Sequence, residues 1–282
     1  MQTRAILHRE AWREHSYFLI PMGFSAVQLT YCLYSRVPFY SVPTVCFLLG
    51  VPLVGLAGFY RRGTRTWIAL LMIVLSYEAI VGPVDSLADS GRILSLFDLD
   101  KYIWGFNLTG WIQSTIESRS LTDVTYILYE ALIPFIGVAS VLVWRSGHRM
   151  FGRYVTAMLL TSYAALLTFL LVPTAPPWYS GAALNLVQNS GVGTTTAYLG
   201  PLAALFQPDY YASFPSMHAA YSVICSYFLL KIRLGTGAVS LVLTGGILFS
   251  TLYLGQHYVI DLAAGAAYAL VPCLLSERWQ IF

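Results

Sequence analysis

Two histidines and one aspartate stand where chemistry can be built around them. His218 ends Ser213-Phe214-Pro215-Ser216-Met217-His218, and His257 opens His257-Tyr258-Val259-Ile260-Asp261. The other three histidines, His8, His15 and His148, fall at charged helix ends and loops. His257 and Asp261 are four residues apart. On a helix they share a face, so the carboxylate can hold one imidazole nitrogen while the other points outward. A histidine held in this way is arranged for nucleophilic attack on phosphorus, and a second histidine can donate a proton to the leaving oxygen. The helix that opens after Pro215 offers N–H groups near Ser216 to His218 as a seat for phosphate oxygens. The plain alternative is that both histidines satisfy helix ends and Asp261 is a buried partner. It suits either histidine alone better than it suits the three together.

For these residues to meet, the chain must bring them to one depth, and its composition says how. It is 57% hydrophobic and only 10% charged across 282 residues, against about 25% charged in an ordinary soluble domain. Apolar runs long enough to cross a bilayer lie at 17–35, 42–60, 66–84, 124–144, 153–172, 216–232, 237–255 and 258–276. They lack the alternation of barrel strands, so the expected fold is all-α, a polytopic membrane bundle of about eight transmembrane helices. With the N-terminus inside, the inner ends collect Arg4, Arg9, Arg13, Arg61, Arg62, Arg65, Arg145, Arg149, Arg153, Lys231, Arg233 and Arg278. The outer side keeps Arg36, Arg92, Lys101 and Arg119. Short cytoplasmic loops are enriched in such residues, which places both termini in the cytoplasm and both His218 and His257 at the outer face of a cell membrane.

The net charge of +3 is too weak for a nucleic-acid footprint. The four cysteines sit far apart inside apolar runs, which suggests neither a disulfide framework nor a zinc motif. Polar residues up to about Ser16, with no small-residue cleavage site after the first apolar run, make that run an expected anchor rather than a removable signal. Two outer loops are long. The first, 85–123, reads as interfacial helix and turn, with an amphipathic piece over Tyr102 to Ile116. The second, 173–214, holds Asp209 as its one charge and is suited to lie against the membrane or cover a site. Asn107-Leu108-Thr109 is a glycosylation sequon that has meaning only in a eukaryotic host.

Pro215-Ser216-Met217-His218, and Ser250 followed by His257 and Asp261, resemble the second and third signatures of the type 2 phosphatidic acid phosphatase superfamily. Thr174-Ala175-Pro176-Pro177-Trp178-Tyr179 brings the likeness closer to the branch of inositol phosphorylceramide synthase. The resemblance implies a six-helix catalytic core over 66–282, with 1–65 contributing a cytoplasmic segment and two accessory helices. It also implies that His257 attacks phosphorus, that Asp261 orients it and that His218 protonates the leaving alcohol, with no cofactor and no metal. Water resolves the phosphohistidine in phosphatases and a lipid hydroxyl resolves it in transferases.

Two departures bear on which of these applies. The first phosphatase signature, K-x6-R-P, is absent, and Thr251 stands where its third signature carries an arginine. A phosphomonoester bears nearly two negative charges at neutral pH and a diester bears one, so a cation-poor pocket suits a diester. Lys101, Arg119 and Arg92 are the candidates to supply phosphate-binding charge from the first outer loop, beside Ser216 at the helix start, and each has a plain alternative as a solvated interfacial residue. Trp178, Tyr179, Tyr258, Glu78 and Glu130 are candidates for substrate contact. For the two intramembrane carboxylates, a structural hydrogen-bonded pair is an equal alternative. The expected function is therefore a lipid phosphotransferase moving a phosphoinositol-like headgroup between membrane lipids. A lipid phosphate phosphatase is the alternative; a transporter using the carboxylates, or a zinc hydrolase, follows further behind.

Overall fold

The computed structural model describes residues 93–188 and 211–278. The apolar runs at 17–35, 42–60 and 66–84, together with Glu78, Arg92 and Asp209, lie outside the described residues. Within them the chain is almost wholly helical: α1 (Phe97–Trp104), α2 (Leu108–Ile116), α3 (Arg119–Glu130), α4 (Leu132–Arg145), α5 (His148–Leu171), α6 (Met217–Ile232), α7 (Leu234–Tyr253) and α8 (Val259–Arg278). Two dipeptides, β1 (Leu94–Ser95) and β2 (Thr174–Ala175), form a short parallel pair. Among the described residues, four helical stretches are long and apolar enough to cross a membrane: Arg119–Arg145, His148–Leu171, Leu234–Tyr253 and Val259–Arg278. The protein is an all-α membrane helix bundle. Apolar α6 is shorter, and its 16 residues rise about 24 Å against a hydrocarbon core of about 30 Å.

The expected span at 124–144 begins earlier and is broken. Ser118 caps α3, its hydroxyl accepting from the Leu121 N–H at 3.2 Å. The helix breaks at Ala131 and resumes as α4. Pro134 explains the break, because it has no N–H for the Glu130 carbonyl and its ring crowds that oxygen. The described part of 85–123 before α3 is helical as expected, as α1 and α2, with Tyr102, Trp104 and Trp111 exposed on them and Phe106 exposed between them.

Lipid tails are as apolar as leucine, so these helices associate through close packing and inter-helix hydrogen bonds. Central α5 contributes Tyr154, Met158, Leu166 and Phe169 to a core completed by Phe135 of α4, Phe228 of α6 and Cys273 of α8. Hydroxyl pairs join neighbouring helices: Ser162 with Tyr221 at 2.8 Å, Ser226 with Thr244 at 2.8 Å, and Thr168 with Tyr268 at 2.8 Å. Each is worth about 0.6 kcal/mol. At the far end from His218 and His257, the Glu277 carboxylate accepts from Tyr227 and Lys231, and its backbone carbonyl accepts from Arg153.

The described part of the segment between α5 and α6 includes a strap across the end of α7. Gln113 of α2 pins it: the side-chain oxygen accepts from the Leu184 N–H at 2.7 Å, and the side-chain nitrogen donates to the Leu184 and Tyr253 carbonyls at 2.9 and 2.8 Å. Asn107 works alongside, capping α2 at the Gly110 N–H and donating to the Ala182 carbonyl. Both ends of the sequon amide are thereby engaged, and Thr109 is fully buried.

Candidate active site

The site forms where the N-terminal ends of α6 and α8 meet. The chain reaches α6 along β2. The Thr174 N–H donates to the Tyr211 carbonyl at 2.9 Å, its carbonyl accepts from the Ser213 N–H at 3.3 Å, and its hydroxyl accepts from the Phe214 N–H at 2.8 Å. Fully buried Thr174 thus sets the path of Ser213. Ser216 then caps α6, its hydroxyl accepting from the Ala219 N–H at 3.4 Å.

His257 is positioned from the other side, by the turn between α7 and α8. The Gln256 and His257 N–H groups both donate to the Thr251 carbonyl, at 2.9 and 3.2 Å. Gly255 turns the chain at φ +76, and a Cβ there would sit 2.3 Å from the Leu184 carbonyl of the strap. α8 begins at Val259, so His257 stands in the turn before the helix rather than inside it. The spacing still works, because Asp261 lies in the first helical turn and reaches back.

Asp261 is the hub. Fully buried, it accepts through Oδ2 from the Ser213 hydroxyl at 2.9 Å and the Tyr258 N–H at 2.8 Å, and the same oxygen lies 3.4 Å from His257 Nδ1. Its backbone carbonyl accepts from the Ser216 N–H at 3.0 Å, tying the start of α6 to α8. A carboxylate so held orients the imidazole by Nδ1 and leaves Nε2 for a reacting atom. The His218 ring stands 5.8 Å from the His257 ring, centroid to centroid, inclined at 61°. Close approach of the two helices depends on Gly265 of α8, where a Cβ would lie 2.2 Å from the Ser216 carbonyl.

Three supports escaped the sequence reading. Ser213 was legible as part of a motif but not as a partner of Asp261. Tyr129, on the last turn of α3, stacks on the His218 ring with centroids 4.2 Å apart and planes at 26°. Asp100 of α1, 2% exposed, accepts through Oδ1 from the Ile260 N–H at 3.4 Å, an anion at the positive end of α8. Burial holds the Asp100 carboxyl above the ordinary carboxylate range; the Ile260 N–H opposes this, and the nearby charge of Asp261 adds to it.

The other candidates are placed as follows. Ser216 is fully buried, with its N–H and hydroxyl engaged. Tyr258 is buried, its hydroxyl 2.6 Å from that of Ser180 in the strap. Trp178 is half-buried and Tyr179 exposed, the two rings edge to face at 5.9 Å, with Tyr179 also against Tyr211 at 5.3 Å. Glu130 is exposed at the α3–α4 break. Lys101 and Arg119 are exposed, the Lys101 ammonium lying 5.9 Å from the Phe97 ring centre. Among the described residues, no Lys or Arg is hydrogen-bonded or ion-paired to His218, His257 or Asp261. At the arginine position of the third signature, Thr251 is fully buried and its hydroxyl bonds the Leu248 carbonyl.

The stretch that carries these residues places the chain among enzymes acting on lipid phosphates. Residues 94–275 match the PAP2 superfamily, and the chain belongs to it. Its branch resembles inositol phosphorylceramide synthase. The chain is 26% identical over 228 residues, 73% of its own length and 71% of the relative's, to the phosphoinositol dihydroceramide synthase of Bacteroides thetaiotaomicron. No solved structure matches the chain.

Proposed function

We propose that the protein transfers a phosphoinositol-type headgroup from a glycerophospholipid to the hydroxyl of a ceramide-class lipid. His257 Nε2 attacks the diester phosphorus, the N–P bond forms, and the P–O bond to diacylglycerol breaks as His218 gives its proton to the departing oxygen. The acceptor hydroxyl then returns a proton to His218 while its oxygen bonds phosphorus and the N–P bond breaks. The first-turn N–H groups of α6 receive the charge that gathers on the phosphoryl oxygens. Both lipids reach the site laterally, from the outer leaflet.

The observation that carries this reading is the Ser213–Asp261–His257 chain beside His218. Charge supports a diester over a monoester, since among the described residues no lysine or arginine pairs with that chain. The name of the Bacteroides thetaiotaomicron relative, a phosphoinositol dihydroceramide synthase, supports the phosphoinositol and ceramide assignment. The test is turnover by protein in nanodiscs, with labelled phosphatidylinositol and phosphatidate supplied separately, with and without ceramide. Ceramide-dependent loss of phosphatidylinositol with release of diacylglycerol is the expected result. Free phosphate from phosphatidate without any acceptor would make the protein a phosphatase. His257→Ala is expected to abolish turnover and the trapped phosphoenzyme, and near-normal turnover by that variant would overturn the mechanism.

A further inference from the structure

The two histidines are held by different means. His257 has a hydrogen-bonded orienter, with Asp261 Oδ2 and the Ser213 hydroxyl each 3.4 Å from Nδ1. The His218 ring has no hydrogen-bond partner among the described residues. What meets it is the face of Tyr129 at 4.2 Å and the edge of His257 at 5.8 Å. A general acid passes its proton through one nitrogen, and at His218 no described residue tethers the other. Contact through the ring face is the remaining way to limit its rotation.

Tyr129 is itself well fixed. It packs against the buried cluster of Leu186, Tyr253 and Leu254, so strap and α7 together back it. The preceding residue, Leu128, lies against Gly246 of α7, where a Cβ would sit 3.4 Å from its methyl groups. The break forced by Pro134 comes two residues after Tyr129, so α3 ends at the depth of His218.

We infer that Tyr129 is a positioning residue for the proton donor, setting the His218 ring by stacking so that it faces the leaving oxygen of the lipid donor. This rests on the proposed role of His218 as general acid. Stacked aromatic pairs contribute enough to favour one ring orientation by roughly tenfold. General-acid catalysis matters most for a poor leaving group such as an alkoxide and least for an activated one.

The test uses the full chain in nanodiscs with enzyme in excess over donor, so that only the first transfer is read. Two donors are compared, phosphatidylinositol and inositol 4-nitrophenyl phosphate, whose nitrophenolate departs without a proton. Tyr129→Leu is expected to slow the first by about tenfold and the second by less than about threefold. Tyr129→Phe, which keeps the ring face, is expected to recover most of the loss on phosphatidylinositol. An equal loss on both donors would mark a structural role and overturn the inference. So would a Phe variant as slow as the Leu variant, which would transfer the effect to the hydroxyl. His218→Ala run in parallel separates the two levels: if it slows both donors equally, the acid role itself fails. If it is selective for phosphatidylinositol while Tyr129→Leu is not, only the positioning role fails.

Discussion

Replacing Gly265 by alanine tests whether the approach of α6 and α8 builds the site. The added Cβ would lie 2.2 Å from the Ser216 carbonyl oxygen and 3.0 Å from the Ala219 Cβ. Neither neighbour is the end of a flexible side chain, so relief requires the helices to part by about 1 Å. That movement stretches the 3.0 Å bond from the Ser216 N–H to the Asp261 carbonyl and widens the 5.8 Å spacing of the histidine rings. Overpacking costs about 1–3 kcal/mol, and a misplacement of about 1 Å at reacting groups costs about 100-fold in rate. Gly265→Ala is therefore expected to lower kcat about 100-fold, with a lower thermal midpoint. Headgroup transfer in nanodiscs and a thermal melt of the same preparation measure the two effects. Gly245→Ala is the control, because nothing lies within 4 Å of its added Cβ and alanine is the better helix former. Wild-type turnover and stability in Gly265→Ala would refute the reasoning, as would equal losses in both variants.

Other outcomes follow from the same contacts. Ser213→Ala removes a 2.9 Å hydrogen bond to a buried carboxylate, and kcat is expected to fall about tenfold or more with KM little changed. An unchanged kcat would separate Ser213 from the chemistry. Asp100→Asn keeps an acceptor for the Ile260 N–H but removes a buried charge beside Asp261. Because the folded-state pKa of Asp100 is raised, its ionised form costs stability above that pKa, and the cost disappears as acid protonates it. The variant is expected to melt at or above the wild-type temperature at pH 7.5. The gap should close on acidification toward the ordinary carboxylate range of about 3.9, and a lower melting temperature at pH 7.5 would contradict the assignment. Gln113→Ala cuts two hydrogen bonds to the strap and one to α7, at about 1–3 kcal/mol, and faster proteolytic cleavage within 177–188 is the expected sign.

The elements were legible in the chain because hydropathy is a one-dimensional signal. Apolar runs at 153–172, 216–232, 237–255 and 258–276 correspond to α5, α6, α7 and α8 with small shifts at their ends. The break in the run at 124–144 was legible too, in Pro134, although the run was read as one helix. His257 and Asp261 were found by local spacing, which survived even though His257 lies outside the helix.

What the chain alone determined is the helical membrane bundle and the spacing of the residues proposed to react, because apolar length and residue type are local properties. Tertiary structure decided what holds those groups. Ser213 meets Asp261 across 48 residues, Asp100 meets Ile260 across 160, and Tyr129 and His218 come from separate helices. Each pairing depends on which face one helix turns toward another. That rotation is set by where small residues such as Gly265 let backbones approach, and a linear pattern of apolar residues does not carry it.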